Sequence, residues 1–294
     1  MELFNGIDFA KQREQVLKES VSQLQLQGNK FVLASIVFME DAGSRLYTQK
    51  KLEAAERVGI EFQPVFLSLL DSKQQIINEI NRLTIDPTVT GLMIQKPSKQ
   101  IWLERVGESD FSEWWRALVA TIRPEKDVDG LSPITQEAIA AGTWMEKGLV
   151  LPATAQAILL VIQEAQVSKT DSIAIIGRSD IVGSPTFYAL KALGYQPTLF
   201  GRADLANTLA SNQMLKDFDV VISATGVEHL VKGSMLKQGV ILVDVGEPKP
   251  DIDRQSVEKI ATFLSPVPGG VGPITVVCLL ENIIMLVNLK KMLS

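Results

Sequence analysis

The chain has 294 residues, of which 46% are hydrophobic and 21% charged, and its formal net charge at pH 7 is −5. This length allows one large domain or two ordinary domains, and the composition is typical of a soluble globular protein. The acidic balance argues against a nucleic-acid-binding protein, which normally carries a basic face. Cys278 is the one cysteine, which excludes an intramolecular disulfide and favours a reducing compartment, so we expect a cytoplasmic protein.

Several other classes are disfavoured by the residues present. We find neither the basic start and apolar run of a signal peptide nor a stretch approaching the roughly 18 apolar residues of a membrane span, so we expect no membrane partner. His229 is the one histidine, so a Cys/His zinc site is excluded. A Ser-His-Asp triad would have to use His229, which the pattern places in a solvated loop.

The first part of the chain alternates helical patterns with apolar runs rich in β-branched residues. Helices are predicted over residues 8–27, 46–58 and 73–83, and strands over 30–39, 61–69 and 91–95. The alternation predicts a parallel sheet with crossover helices. Sheets of this kind bind their ligands at the carboxyl ends of their strands.

Polar residues cluster at these predicted strand and loop ends. Tyr47 and Lys51 share a helix face because they are four residues apart, and Gln95 closes the third strand. Asp127 and Asp129 lie in a predicted loop. Taken singly, Lys51 could instead be a solvated lysine whose stem lies on the Tyr47 ring. The loop with Asp127 and Asp129 could likewise be an acidic turn at the surface. Several polar groups at such ends of one α/β lobe favour a site more strongly than any one of them does.

Residues 98–121 contain Trp102, Trp114 and Trp115 and are predicted to form an amphipathic helix. We interpret these aromatic residues as core, because no basic stripe accompanies them as it would in a platform that stacks on bases. The chain continues with predicted helices over 134–141 and 153–166, and we place the domain boundary near residues 142–151 between them.

The second part begins with a predicted strand over 171–176, a glycine-bounded turn at 177–183 and a helix over 184–193. Strand, turn and helix in this order are typical of dinucleotide binding, in which backbone amides and the helix amino terminus hold a pyrophosphate. The turn is not the Gly-x-Gly-x-x-Gly sequence, so this motif alone is a weak indication.

The next predicted strand, residues 196–200, is followed by Arg202 and Asp204, about where a dinucleotide-binding unit contacts the adenosine ribose. An arginine there suits the 2′-phosphate of NADP, whereas an aspartate suits the free 2′-hydroxyl of NAD. Both residue types are present, so this position leaves both cofactors open. Two further buried strands are predicted over 217–224 and 239–245.

Residues 265–275 contain three glycines and three prolines, which predict a rigid loop before a final helix over 276–289. The missing side chains at Gly269, Gly270 and Gly272 would let a flat ligand approach the backbone closely. The alternative, a plain turn between strand and helix, would need fewer residues of either type.

Six segments in chain order are Ser44-x-x-Tyr47-x-x-x-Lys51, the Gln95 strand end, Lys126-Asp127-Val128-Asp129-Gly130, Gly177-Arg178-Ser179-x-Ile181-Val182-Gly183, Asp244-Val245-Gly246 and Pro266-Val267-Pro268-Gly269-Gly270-Val271-Gly272-Pro273. Together they resemble the bifunctional methylenetetrahydrofolate dehydrogenase/methenyltetrahydrofolate cyclohydrolase family over nearly the whole chain. The resemblance implies an N-terminal α/β catalytic lobe and a Rossmann-like parallel-sheet cofactor lobe, with the C-terminal helix packing back on the N-terminal lobe. It implies a folate-binding domain of residues 1–147 plus 273–294 and an NAD(P)-binding domain of residues 148–272.

The family oxidises 5,10-methylenetetrahydrofolate with a nicotinamide and hydrolyses the methenyl product to 10-formyltetrahydrofolate. By resemblance, Lys51 would exchange protons during hydrolysis, with a pKa lowered by partial desolvation, and Gln95 would orient its ammonium. Tyr47 would stack on the folate ring and Asp129 would hydrogen-bond the pterin, so all four residues are candidate catalytic residues. Further substrate contacts would come from Pro268, Gly269, Gly270 and Gly272, and cofactor contacts from Gly177, Arg178, Ser179, Arg202 and Glu247.

The resemblance also implies a homodimer through the cofactor lobe, and the reaction requires no metal. Two departures concern the cofactor: Gly201-Arg202-Ala203-Asp204 replaces a His-Ser-x-Thr sequence, and Glu247 replaces an apolar residue. We favour NADP, because Arg178 and Arg202 could both face a 2′-phosphate, with NAD as the alternative. Two other functions remain open: a cyclohydrolase with weak or NAD-dependent dehydrogenase activity, and a non-catalytic dinucleotide-binding protein.

Overall fold

A computed structural model describes residues 1–107, 110–201 and 214–293, which form two compact α/β units. The three-stranded unit consists of Gln12–Ala138, Trp144–Val150 and Leu279–Ser294. The six-stranded unit consists of Met1–Lys11, Ile139–Thr143 and Leu151–Cys278. The predicted class, two α/β lobes with parallel sheets, is confirmed.

The strands are β1 (Glu2–Leu3), β2 (Val32–Phe38), β3 (Glu61–Leu67), β4 (Gly91–Ile94), β5 (Ser172–Ile176), β6 (Gln196–Phe200), β7 (Val220–Ser223), β8 (Ile241–Asp244) and β9 (Phe263–Ser265). The α-helices in the described residues are α1 (Gly6–Leu26), α2 (Ala42–Val58), α3 (Lys73–Ile85), α4 (Lys99–Val106), α5 (Phe111–Val119), α6 (Pro133–Ala140), α7 (Ala153–Glu164), α8 (Gly183–Ala192), α9 (Arg254–Val257) and α10 (Val271–Leu293).

The sheet of the three-stranded unit has the order β3-β2-β4, and all its strands are parallel. Every residue of β2 is buried, as expected for a central strand covered on both faces. Gly91 lacks a side chain at the point where Val128 packs, and a Cβ there would collide with Val128. Asn282 of α10 donates a 2.9 Å hydrogen bond to the carbonyl of Val128, so the C-terminal helix packs on this unit as predicted.

The sheet of the six-stranded unit has the order β1-β9-β8-β7-β5-β6 and is parallel throughout. Neither β1 nor β9 was predicted, because strands of two or three residues show no usable periodicity. The pairing of β1 with β9 places Met1–Lys11 in this unit, although the sequence-based division grouped them with residues 1–147. One apolar core includes Ala174, Val221, Val240, Leu242, Val257 and Leu264.

The segment 98–121 forms two helices, α4 and α5, and not the single helix that we predicted. Gly107 ends α4 in the left-handed conformation, with φ of +74°, which a continuous helix does not allow. The aromatic residues are core, as expected. Trp102 is 1% exposed, and the Trp114 ring lies 5.4 Å from the Phe38 ring between centroids.

The final helix, α10, begins at Val271, five residues earlier than predicted. Pro273 lies in its first turn, where a missing amide donor removes no helical hydrogen bond. Residues Val271–Leu289 are long and apolar enough to cross a membrane, with mean hydropathy 1.8, which corrects our statement that no stretch approaches such a span. Burial of 56% of this stretch within the protein is also typical of a core helix.

Asp219 gives the six-stranded unit a pH-dependent contribution to stability. Its carboxylate accepts hydrogen bonds from Lys237 at 2.5 Å and from the amide of Ser172 at 2.8 Å. These bonds, with the Lys237 bond strongest, lower the pKa of Asp219 to about 2. A carboxyl whose pKa is depressed by folding stabilises the folded state above its unfolded pKa of about 4.

We therefore expect Asp219→Asn to lower the free energy of unfolding at pH 7 by about 0.5–1 kcal/mol, a small value because Asp219 and Lys237 are both partly exposed. The penalty should shrink as the pH falls from 7 to 3, because the wild-type contribution disappears between about pH 4 and pH 2. Urea unfolding of both proteins at the two pH values checks this. An equal penalty at both values would contradict it.

Candidate active site

Lys51 and Gln95 form the centre of the candidate site in the three-stranded unit. Only 8% of Lys51 is exposed, and its Nζ donates a 2.8 Å hydrogen bond to Oε1 of Gln95. The sulfur of Met93 lies 3.8 Å from the same nitrogen. Removing an ammonium from water is unfavourable unless hydrogen bonds replace those to water. The side-chain oxygen of Gln95 therefore stabilises the buried amine and also fixes its direction.

The two residues meet because adjacent elements of one sheet carry them. Gln95 follows β4 directly, and β4 pairs in parallel with β2, after which α2 begins. Asp41 caps the amino terminus of α2 by accepting a 3.1 Å hydrogen bond from the amide of Ser44. Gly59 ends the helix in the left-handed conformation, with φ of +85°. Lys51 lies within this helix and points to the carboxyl end of β4 through its bond to Gln95.

Tyr47 lies one turn before Lys51 on α2 and is half-buried. The spacing of four residues puts both side chains on one helix face, as the sequence predicted. The ammonium of Lys50 lies 5.4 Å from the centroid of the Tyr47 ring. An aromatic ring in this position can stack on a flat ligand bound next to Lys51.

The loop with Asp127 and Asp129 gives its two carboxylates different environments. Asp127 is 1% exposed and accepts hydrogen bonds from the amides of Leu131 and Ser132 at 3.1 and 2.7 Å. Burial raises the pKa of Asp127, and the negative charge of Asp129 adds to the rise, while the hydrogen bonds oppose it. Asp127 thus organises the turn, and the half-buried Asp129 is the more accessible of the two to a ligand.

A backbone bridge places this loop at the same sheet edge as Gln95. Asp127 pairs in parallel with Leu92 of β4. Asp129 lies two residues after Asp127, and Gln95 lies three residues after Leu92. Because the two segments run parallel, both residues lie beyond the carboxyl end of the sheet. The structure therefore brings Lys51 and Gln95 into direct contact and holds Asp129 in the loop beside the same strand.

The residues predicted to hold cofactor phosphates lie between β5 and α8 in the six-stranded unit. Gly177 has φ of +114°, and Gly183 packs so closely on its carbonyl that a Cβ on Gly183 would collide with it. Ser179 accepts a 3.1 Å hydrogen bond from the amide of Val182, and both Arg178 and Ser179 are exposed. An exposed arginine and serine before a helix amino terminus fit a phosphate group.

Arg178 extends from this turn along β6. Its Nη2 donates a 3.1 Å hydrogen bond to the carbonyl of Leu199, and its Cδ lies 3.0 Å from where a Cβ on Gly201 would stand. An open groove of about 550 Å³ beside it is lined by Arg178, Ser184, Phe187, Tyr188, Pro197, Thr198 and Leu199. The predicted cofactor residue Arg202, and Asp204 with it, lie outside the described residues.

Glu247 follows β8 and is exposed. Its backbone carbonyl lies beside Gly226 after β7, 3.3 Å from where a Cβ on Gly226 would stand. The buried Asp244 holds the segment after β8 by accepting hydrogen bonds from the amides of Gly246 and Ile252, both at 2.9 Å. Burial raises the pKa of Asp244, against the effect of these bonds.

The predicted substrate residues Pro268, Gly269, Gly270 and Gly272 belong to the six-stranded unit, whereas Lys51, Gln95, Tyr47 and Asp129 belong to the three-stranded unit. Gly269 has φ of +97°, a conformation that favours glycine. A Cβ on Gly270 would collide with the side chain of Ser265, so packing within the protein also requires glycine there. Gly272 has open space where its Cβ would stand.

Two buried carboxylates organise these sites and were not recognised as such from sequence. Asp41 caps α2 with one carboxylate oxygen, and its second oxygen accepts a 2.7 Å hydrogen bond from the amide of Ser98. Asp251 accepts hydrogen bonds from Ser223 and from Thr225 after β7. Their partners are distant in sequence, so no local pattern could reveal them. Among the described ranges, no cluster of three His, Cys, Asp or Glu side chains could hold a metal ion.

Two parts of the chain match the two domain models of one known protein family. Residues 4–129 match the tetrahydrofolate dehydrogenase/cyclohydrolase catalytic domain, and residues 152–291 match the NAD(P)-binding domain of that family. The chain is 36% identical over 293 residues to the "Bifunctional protein FolD" of Lactobacillus helveticus, covering 97% of this chain and 96% of that protein.

Two crystal structures are similar over nearly the full length. The bifunctional enzyme FolD from Campylobacter jejuni has a TM-score of 0.85 at 28% identity, with 99% of each chain covered. The Trypanosoma brucei methylenetetrahydrofolate dehydrogenase-cyclohydrolase, complexed with NADP cofactor and inhibitor, has a TM-score of 0.85 at 26% identity and covers 99% of this chain and 98% of that chain. The chain thus contains both domains of the family, the catalytic domain first and the NAD(P)-binding domain second. It belongs to the tetrahydrofolate dehydrogenase/cyclohydrolase family.

Proposed function

We propose that this chain oxidises 5,10-methylenetetrahydrofolate to 5,10-methenyltetrahydrofolate with NADP and hydrolyses the methenyl compound to 10-formyltetrahydrofolate. Family membership supports both activities. The observation that carries the proposal is the 2.8 Å hydrogen bond from the buried ammonium of Lys51 to Gln95. It keeps an amine at the carboxyl edge of a parallel sheet, where α/β proteins bind their ligands.

Hydrolysis requires water to add to the methenyl carbon and to lose a proton, which gives a neutral tetrahedral adduct. One carbon–nitrogen bond of the adduct then breaks, the departing nitrogen gains a proton, and the hydroxyl loses one as the formyl carbonyl forms. In our proposal, Lys51 exchanges protons with the water or the adduct, and Gln95 directs its amine by accepting a hydrogen bond from it. A positioned acid or base of this kind contributes about 10²- to 10⁴-fold to a rate.

Orientation of the folate is assigned to residues around this pair. Tyr47 stacks on the pterin ring, and Asp129 accepts two hydrogen bonds from its N–H and amino groups. The contrast between buried Asp127 and accessible Asp129 supports this choice. Pro268, Gly269, Gly270 and Gly272 add backbone contacts to the substrate. The folate-binding domain in this proposal comprises residues 1–147 and 273–294.

The cofactor is assigned to residues 148–272, with Gly177, Arg178 and Ser179 at its phosphates. A nicotinamide cofactor held there would supply the acceptor for the hydride that leaves the methylene carbon. NADP is favoured over NAD because the exposed guanidinium of Arg178 extends to the end of β6, where a dinucleotide-binding unit contacts the ribose, and so suits a 2′-phosphate. The Trypanosoma brucei relative is also described with NADP. Arg202, which lies outside the described residues, and Glu247, three residues after β8, complete the assigned set.

A homodimer through the cofactor domain is part of the proposal. Within the described residues, β6 pairs only with β5 and so lies at an edge of its sheet, which supports a contact there. A cyclohydrolase with weak or NAD-dependent dehydrogenase activity is the alternative, which rests on the exposed carboxylate of Glu247 and which similarity to bifunctional relatives does not favour. The Lys51–Gln95 pair argues against a protein that only binds dinucleotides.

We expect Lys51→Met to reduce hydrolysis of methenyltetrahydrofolate to below about 1% of the wild-type rate, because the proton-exchanging group is lost. Methionine retains the length and apolar stem of the side chain, so the unit should still fold. The decrease in methenyl absorbance measures the rate. Lys30→Met, at an exposed lysine of the same unit, serves as the control and should retain the activity. Full hydrolysis by folded Lys51→Met would refute the assignment.

Arg178→Ala should lower kcat/KM of the dehydrogenase reaction about 10-fold with NADP and much less with NAD, because a charge-assisted hydrogen bond to the 2′-phosphate is lost. Steady-state rates with both cofactors measure this change in specificity. Lys191→Ala, which removes a cation from the last turn of α8, is the control and should leave the NADP/NAD ratio unchanged. An equal loss with both cofactors would remove Arg178 as the 2′-phosphate ligand.

A further inference from the structure

The geometry points to Asp41 as a positioning residue that holds Lys51 and Gln95 together by tying the start of α2 to the segment after β4. This inference rests on the proposed hydrolytic function. Asp41 is 6% exposed, and each of its carboxylate oxygens has a different task. Oδ1 accepts the 3.1 Å hydrogen bond from the amide of Ser44, and Oδ2 accepts the 2.7 Å bond from the amide of Ser98.

The second bond distinguishes Asp41 from an ordinary helix cap. Ser72 caps the neighbouring helix α3 in a capping box with Gln75, so all its partners are within three residues. The bond from Ser98 to Asp41 instead joins positions 57 residues apart. Burial alone would raise the pKa of Asp41, but the bonds from Ser98 and Ser44 outweigh it and lower the pKa, so the carboxylate is ionised at neutral pH.

The tie acts on both members of the catalytic pair. Lys51 follows Ser44 by seven residues, about 10 Å along a rigid helix. Gln95 precedes Ser98 by three residues, and Pro97 stiffens that short segment by fixing its own φ. A displacement of either segment therefore changes the distance from the Lys51 amine to the Gln95 oxygen. Losses of about 10²-fold can follow a 1 Å misplacement of reacting groups.

A second contact also joins the start of α2 to the segment after β4. The hydroxyl of Ser44 donates a 3.5 Å hydrogen bond to the carbonyl of Lys96. Its length makes it the weaker of the two contacts, since strong bonds to a carbonyl are near 2.8 Å. The charged Asp41 carboxylate with its short bond from Ser98 is therefore the main tie between α2 and residues 95–98.

Two substitutions separate the tie from the helix cap. Asp41→Asn keeps a side-chain oxygen that can accept the hydrogen bond from the Ser44 amide, and asparagine caps helices as well as aspartate does. In place of the second oxygen, however, the amide side chain turns an NH₂ group toward the Ser98 amide. Ser98→Pro removes the Ser98 amide hydrogen and leaves Asp41 intact. Ser98 has φ of −58°, which suits proline, and it is the cap residue of α4, whose own amide the helix does not use.

We expect each variant to lower kcat for hydrolysis of methenyltetrahydrofolate by about 10- to 100-fold, with KM changed less than about three-fold. The double variant should be no slower than the slower single variant, because both changes break one bond. Ser98→Ala keeps the amide hydrogen, and its side chain makes no cap hydrogen bond, so it is the matched control and should resemble the wild type.

Thermal unfolding of each variant shows whether it is folded, and Asp41→Asn decides the question if Ser98→Pro does not fold. Wild-type rates from both folded variants, or losses that multiply in the double variant, would overturn the inference. Failure of the proposed function is seen separately, because the wild type itself would then not hydrolyse the methenyl compound. If the wild type hydrolyses it and the variants match it, only the role of Asp41 is rejected.

Discussion

The hydrogen bond from the Lys51 ammonium to Gln95 is the interaction on which the candidate site depends. A buried ammonium needs hydrogen-bond partners, and Gln95 supplies an uncharged one at 2.8 Å. The bond exists because β2 and β4 are adjacent parallel strands, so the helix after one and the residue after the other meet at one sheet edge. The order of three strands thus brings two residues 44 positions apart into contact, which is the arrangement that the proposed proton exchange requires.

Buried carboxylates have a common architectural role in both units. Asp41, Asp127, Asp244 and Asp251 are each at most 6% exposed, and each accepts backbone amide hydrogen bonds. Carboxylates can accept several such bonds at once, so they suit irregular segments whose amides lack partners in a helix or sheet. Each fixes a segment at a strand end. Asp129 and Glu247, which are assigned to ligands, lie in two of these segments and are more exposed than the carboxylates that hold them.

The helices, the strands and the positions of the site residues along them were predictable from sequence wherever neighbouring residues determine them. The run at 30–39 indicated β2 through its apolar continuity, and the spacing of Tyr47 and Lys51 indicated a shared helix face. Contacts between distant segments were not predictable, including the pairing of β1 with β9 and the bond from Ser98 to Asp41. Composition also misled at 265–275, because proline and glycine are acceptable in a first helical turn and α10 begins at Val271.

A double-mutant cycle on the central pair tests the account most directly. Hydrolysis of methenyltetrahydrofolate is measured for the wild type, Lys51→Met, Gln95→Ala and the double variant, with thermal unfolding of each to establish folding. If Gln95 acts through Lys51, its removal should slow the wild type but have almost no further effect once Lys51 is gone. Independent losses that multiply in the double variant would contradict the claim that the two side chains act as one unit.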